Sequence, residues 1–168
     1  DVLTFKKLKI SGYVQARYTY LDATPPASQF FVRRARLKAD YQGDWSRFML
    51  QIDATGGVDF IRDAEATISE PWSGKQYLSV TAGLHKVPFG LEGPVSSVDR
   101  EFPERTRMTR SFFPGERDRG VKAAFQYKFL RAYAAVYDGN FTQMTGYTTK
   151  DNDTEKDVLI KLREDVRD

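Results

Sequence analysis

Apolar and polar residues alternate along most of this chain, and no other feature restricts its fold as strongly. From Leu8 one set runs Leu8, Ile10, Gly12, Val14, Ala16, Tyr18 and Tyr20. The interleaved set runs Lys9, Ser11, Tyr13, Gln15, Arg17 and Thr19. A β-strand sends successive side chains to opposite faces, so period two over about 13 residues predicts one long strand with unlike faces. That is long for a soluble strand and suits one tilted across a bilayer. Pro25 and Pro26 mark the loop that ends it.

The same rhythm recurs. In the second strand Phe31, Arg33, Ala35, Leu37, Ala39 and Tyr41 share a face, opposite Val32, Arg34, Arg36, Lys38 and Asp40. A tight turn at Gly43-Asp44 leads to a third, with Phe48, Leu50, Ile52 and Ala54 against Arg47, Met49, Gln51 and Asp53. Gly56-Gly57 breaks it. A fourth sets Phe60, Ala64, Ala66 and Ile68 against Asp63, Glu65, Thr67 and Ser69. After the turn at Pro71–Gly74, a fifth sets Leu78, Val80, Ala82 and Leu84 against Tyr77, Ser79, Thr81, Gly83 and His85. An irregular stretch, 87–118, holds four prolines. The sixth strand puts Val121, Ala123, Phe125 and Tyr127 opposite Lys122, Ala124 and Gln126. Lys128-Phe129 turns it into a seventh near Leu130–Tyr137, and an eighth starts near Lys156 after a polar loop. No helix, repeat or low-complexity segment is expected.

Connection lengths alternate. The turns at Gly43, Ser73 and Lys128 fall on one side of such a sheet. The loops at Pro25, Gly56, 87–118 and 140–155 fall on the other. Short turns on one side and long loops on the other are the habit of outer-membrane barrels. Alternation alone does not separate these from a soluble barrel, which reverses inside and outside.

Composition removes other classes. Net charge is +3 and mean hydropathy −0.55, too mild for nucleic-acid binding and without an apolar run for a membrane helix. A membrane β-wall escapes that test, because only alternate residues meet lipid. There is no Cys and a single histidine, His85, so neither a disulfide nor a multi-His metal site is expected, and no cofactor is called for. His85 reads as a hydrogen-bonding residue of the polar face or loop.

Gly83–Gly90 reads G-L-H-K-V-P-F-G, which resembles the G-x-x-K-x-P-F-G motif of the phosphate-selective porin O and P family. Phe31–Leu37, F-V-R-R-A-R-L, is similar to that family's arginine-rich second strand. Asp63-Ala64, Pro114–Val121 (P-G-E-R-D-R-G-V, one residue longer than the family pattern) and Val136–Gly139 (V-Y-D-G) follow in the same order. The resemblance implies an all-β, antiparallel up-and-down transmembrane barrel of about sixteen strands, trimeric, in the bacterial outer membrane, with an anion-attracting lumen. About eight strands are expected here, as one domain over 1–168 and half of a larger barrel. A natural eight-strand barrel is the alternative, its interior then filled by ion pairs.

Six basic residues, Arg17, Arg34, Arg36, Lys38, Arg47 and Lys122, share the polar face and are candidates for attracting anions in a water-filled lumen. Arginine suits oxyanions through paired hydrogen bonds. Alternatively they pair across strands with Asp53, Asp63 and Glu65 and leave an ordinary polar wall. Arg105, Arg107 and Arg110 in the long loop would set selectivity if that loop folds inward as a constriction. Arg33, Arg62 and Lys86 alternate with the apolar set. They are expected outward and level with one another, as a belt contacting lipopolysaccharide phosphates. Lys86–Gly90 reads as a strand end that launches the loop. Membrane lipid, lipopolysaccharide, small anionic solutes and a homotrimer are the expected partners. A soluble ligand-binding barrel without channel activity is the runner-up. An enzyme using Asp63 and Glu65 lacks any nucleophile, phosphate-loop or metal motif.

Overall fold

A computed structural model describes residues 2–5, 7–22, 27–55, 60–73, 76–96, 98–99, 104–112, 116–139 and 154–164. Among these described residues nine strands follow in chain order: β1 (Val2–Phe5), β2 (Leu8–Leu21), β3 (Ala27–Gln42), β4 (Ser46–Asp53), β5 (Ile61–Ser73), β6 (Gln76–Lys86), β7 (Arg117–Tyr127), β8 (Leu130–Tyr137) and β9 (Asp157–Glu164). Each pairs antiparallel with the next in one sheet, whose edges are β1 and β9. The expected up-and-down order is present. The additional strand, β1, spans only Val2–Phe5, too short for its alternation to stand out. A six-residue helix, α1 (Arg107–Phe112), was not expected and lies inside the long β6–β7 connection.

The burial pattern is the reverse of a soluble sandwich. Large apolar side chains are open on one face, with Phe30 83% and Ile160 77% exposed. The opposite face buries Arg34, Asp53, Asp63, Ser79, Thr81 and Gln126. The clustered apolar core is small: Val87, Ala135 and Tyr137, with Phe89 and Leu159 against them. It lies where the long connection meets β8 and β9.

Turn chemistry fixes the short connections. Gly43 donates its N–H to Ser46 O at 2.7 Å, closing the β3–β4 hairpin, and Gln42 N–H reaches Lys7 O at 2.8 Å. The β7–β8 hairpin closes at Tyr127↔Leu130 with Lys128 in the left-handed region, φ +52°. Lys128 tolerates this because two-residue hairpins favour positive φ, which follows the sheet's twist.

Two β-bulges alter the expected faces. Gln15 pairs with Arg34 but Ala16 pairs with Val32, so Arg33 is the extra residue on β3. Gln51 pairs with Asp63 but Ile52 pairs with Ile61, so Arg62 is the extra residue on β5. An inserted residue shifts the period by one place. Beyond Arg33, therefore, Phe31 lies on the polar face opposite Arg17, and Val32 on the apolar face, 50% exposed. Unbroken alternation assigns both the other way round.

Candidate functional site

The polar face carries a ladder of charge pairs whose spacing follows the register. Arg36 and Asp53 are cross-strand partners, and Arg36 Nε donates to Asp53 Oδ2 at 2.9 Å. Asp53 Oδ1 also accepts from Thr55 Oγ1 at 2.8 Å. Arg47 grips Asp40 through two bonds, 2.8 and 2.6 Å, while Lys38 reaches the same carboxylate at 2.9 Å. Glu65 lies 3.9 Å from Arg47. Arg117 binds Asp63 through paired bonds of 2.8 and 3.0 Å, and both side chains are almost fully buried. Arg34 donates to Gln15 Oε1 at 2.6 Å. Cross-strand pairing thus takes up much of the arginine charge, and Lys38 shares Asp40 with Arg47.

In front of this ladder is a cavity of about 360 Å³ between the wall and the long connection. Lys38, Lys86, Lys122, Lys161 and Arg163 line it, against the carboxylates Asp63 and Glu65. Residues of β3 and β9 face the same cavity, so the polar face is concave. Of the six proposed anion-attracting residues, Lys38 and Lys122 line it. Arg36 and Arg47 are held in ion pairs beside their own strands. Alternation along β9 (Val158, Ile160, Leu162 against Leu159, Lys161, Arg163) was sufficient to find Lys161 and Arg163, yet neither was among the expected site residues.

The long connection is fastened to this polar face. Lys161 Nζ donates to Gly90 O at 2.5 Å and Lys86 Nζ to Pro94 O at 3.1 Å. Glu104 accepts from Arg33 Nε at 2.9 Å and Nη2 at 3.2 Å, with Arg34 at 3.7 Å and Arg17 at 3.8 Å. Burial raises the Glu104 pKa, but the Arg33 hydrogen bonds and the charges of Arg33, Arg34 and Arg17 outweigh this and hold it below the usual range. Glu104 carried no signal in the sequence, because a loop has no period.

Two expectations are corrected here. Arg105 does not present its charge to the lumen. It is 4% exposed and donates to the carbonyls of Glu92, Gly93 and Val95 at 3.3, 2.9 and 3.1 Å, with an ion pair to Glu116. It ties the connection to itself. Arg107 lies exposed on α1, and the side chain of Arg110 falls outside the described residues. The outward basic belt also fails. Arg33 bonds the connection alongside inward Arg34, Lys86 lines the inner cavity, and Arg62 sits at its bulge beside inward Asp63 with Nε buried. Bulge geometry turned the two arginines, and Lys86 lies beyond the last β5–β6 pair, Ala64↔Leu84.

His85 is 1% exposed. Its Nε2 lies 3.2 Å from Tyr137 Oη and its Nδ1 3.1 Å from Gly83 O. Tyr137 lies against Gly120, where a Cβ would come within 2.7 Å of the ring and 2.1 Å of Val136 O. The G-L-H-K-V-P-F-G stretch ends β6 at Lys86. Val87 N–H then donates to Glu116 O at 3.1 Å, and Gly90 takes φ +58°. Among the described residues no three His, Asp or Glu side chains cluster to hold a metal.

The outer face completes the picture. Tyr18 packs against Phe30 in a tilted contact, with centroids 4.7 Å apart, near the loop ends of β2 and β3. Tyr41 and Phe48 lie 6.3 Å apart at the turn ends of β3 and β4, near exposed Trp45. Val14, Leu37 and Leu50 are exposed between the two aromatic groups. Tyr41 is level with Leu8, ten residues before Tyr18 on β2. At about 3.4 Å per residue the groups stand roughly 34 Å apart along the strand, and a strand of that length crosses an apolar band of about 25 Å when tilted near 45°. That matches an apolar band of about 25 Å flanked by aromatic girdles.

An inside-out antiparallel sheet with such girdles, a charged concave face and turns opposite loops defines a porin-type β-structure. Within that class, the chain belongs to the phosphate-selective porin O and P family, whose model matches residues 8–158. Neither a curated protein nor a solved structure matches it. The family is one of channels rather than enzymes.

Proposed function

We propose that this chain forms part of the wall of an outer-membrane diffusion channel that favours small anions, phosphate among them. The observation that carries the reading is the cavity between the long connection and the wall, where five cationic side chains face two carboxylates. Fixed positive charge in a narrow aqueous passage concentrates anions and repels cations. The connection acts as the constriction, since Gly90, Pro94 and Glu104 are anchored to inward-facing side chains. The sheet closes into a barrel of about sixteen strands together with further chain, and the channel assembles as a trimer. The cavity in front of the polar face supports the larger barrel, since a closed eight-strand barrel is filled by its own side chains.

Reversal potentials across a planar bilayer in a salt gradient test the reading. The intact channel should favour chloride over potassium, and Lys122→Glu should reduce that preference. A cation-selective channel, or one indifferent to Lys122→Glu, overturns it.

A further inference from the structure

We infer that Glu65 and Lys122 form the two ends of a site for small zwitterions: the ammonium of a dipeptide-sized solute rests on Glu65 and its carboxylate on Lys122. The inference deepens the channel reading and rests on it. The cavity is rich in charge, yet much of that charge is already engaged. Arg117 grips Asp63, and Lys38 is paired with Asp40. Lys86 and Lys161 donate to the carbonyls of Pro94 and Gly90. Glu65 and Lys122 differ. Among the described residues the Glu65 carboxylate meets only Arg47, at 3.9 Å, beyond hydrogen-bond length, and the Lys122 ammonium makes no hydrogen bond or ion pair. Both line the cavity, and they face it without meeting each other.

Register sets their separation. Glu65 pairs with Gly83, and Gly83 with Gly120. Two residues further along, Thr67 pairs with Thr81, and Thr81 with Lys122. The two charges therefore sit two strands and two residues apart, about 12 Å between backbones. The positions between them are small. Thr67 and Thr81 bond to each other at 3.0 Å. A Cβ at Gly83 would fall 2.2 Å from Ala64 O, and one at Gly120 2.1 Å from Val136 O, so the backbone itself keeps that stretch of wall bare. Two residues of extended chain span about 7 Å, which lets a dipeptide reach from one side chain to the other. A solute with a single negative charge gains from Lys122 and is repelled by Glu65. A solute with both charges gains at each end, and the fixed dipole across the passage orients it.

Chloride conductance of the full-length protein in planar bilayers at neutral pH reads the site, with glycylglycine as the probe. This dipeptide has no net charge and adds no current, so its binding shows as block. N-acetylglycine lacks the ammonium, and N-acetylglycinamide lacks both charges. Glycylglycine should block the wild type, and N-acetylglycinamide should not. Glu65→Gln should raise the half-blocking concentration of glycylglycine about tenfold, the factor for one charge-assisted hydrogen bond, without raising that of N-acetylglycine. Lys122→Gln should weaken block by both. The site is refuted if the neutral amide blocks as well as the dipeptide, or if Glu65→Gln leaves the half-blocking concentration of glycylglycine unchanged. A channel that carries chloride but ignores glycylglycine overturns the site alone. A preparation that carries no chloride overturns the channel reading, and the site falls with it.

Discussion

Replacing Arg105 distinguishes a structural tie from a selectivity charge. Its guanidinium donates to three backbone carbonyls and pairs with Glu116 while 4% exposed. A hydrogen bond from a charged donor contributes about 1.5–3 kcal/mol, and carbonyls left buried without a donor add a desolvation cost. The three bonds share one side chain and one lies at 3.3 Å, so they do not add in full. A local loss of about 3 kcal/mol is a reasonable working figure, roughly a hundredfold in the opening equilibrium of the segment. Hydrogen exchange on the full-length protein reads that opening at the amides of Val95 and Thr106, which bond to Glu92. In Arg105→Ala both should exchange about a hundredfold faster while strand amides keep their protection. Arg105→Lys should fall close to Ala, since one ammonium cannot span three carbonyls. If Arg105→Lys keeps wild-type protection, or Ala shifts ion selectivity while exchange is unchanged, Arg105 acts as a charge and the tie is wrong.

Gly120→Ala should abolish assembly, read as loss of the compact band in unheated gels, because a Cβ there falls 2.1 Å from Val136 O and 2.7 Å from the Tyr137 ring. Asp40→Asn removes the partner of Arg47 and Lys38 together, so reversal potentials should move further towards anions. Glu104 has a lowered pKa in the folded protein, so its contribution is complete above the ordinary value of 4.5 and disappears as pH falls through the lower folded one. The carboxylate infrared band lost in Glu104→Gln should therefore persist in the wild type from neutrality down to about pH 5 and give way to the protonated band only in stronger acid. Cysteines at Val14 and Leu50 should react with lipid-soluble reagents, and one at Thr81 with water-soluble reagents only; equal labelling of both sets would refute the face assignment.

Most of the wall was legible because period two is a direct image of strand geometry. Val14, Leu50 and Val80 are exposed, and Arg34, Asp63 and Thr81 buried, as alternation alone requires in an inside-out sheet. The failures have more than one cause. Arg33 and Arg62 are bulge residues, and a bulge leaves no mark in a run of alternating letters until the partner strand is known. The clasp of Glu104, the carbonyl bonds of Arg105 and the helix α1 depend on where an aperiodic segment lands, and local propensity does not encode that. Arginine and lysine looked interchangeable as lumen charges in the sequence. Register decides that Arg36 and Arg47 meet carboxylates on neighbouring strands, while Lys38 and Lys122 reach the cavity.

The bulge at Arg33 also separates what can vary in this wall. Deleting that one residue would join Val32 directly to Arg34 and restore an unbroken ladder opposite Ala16 and Gln15. Such a deletion leaves the pairs from Leu8↔Tyr41 to Gln15↔Arg34 in their present phase and removes none from the ladder. It removes only the side chain that grips the connection. Single-residue insertions and deletions, ordinarily ruinous in a strand, are therefore a cheap route by which a wall of this kind changes what stands in its passage while its face towards the lipid stays the same.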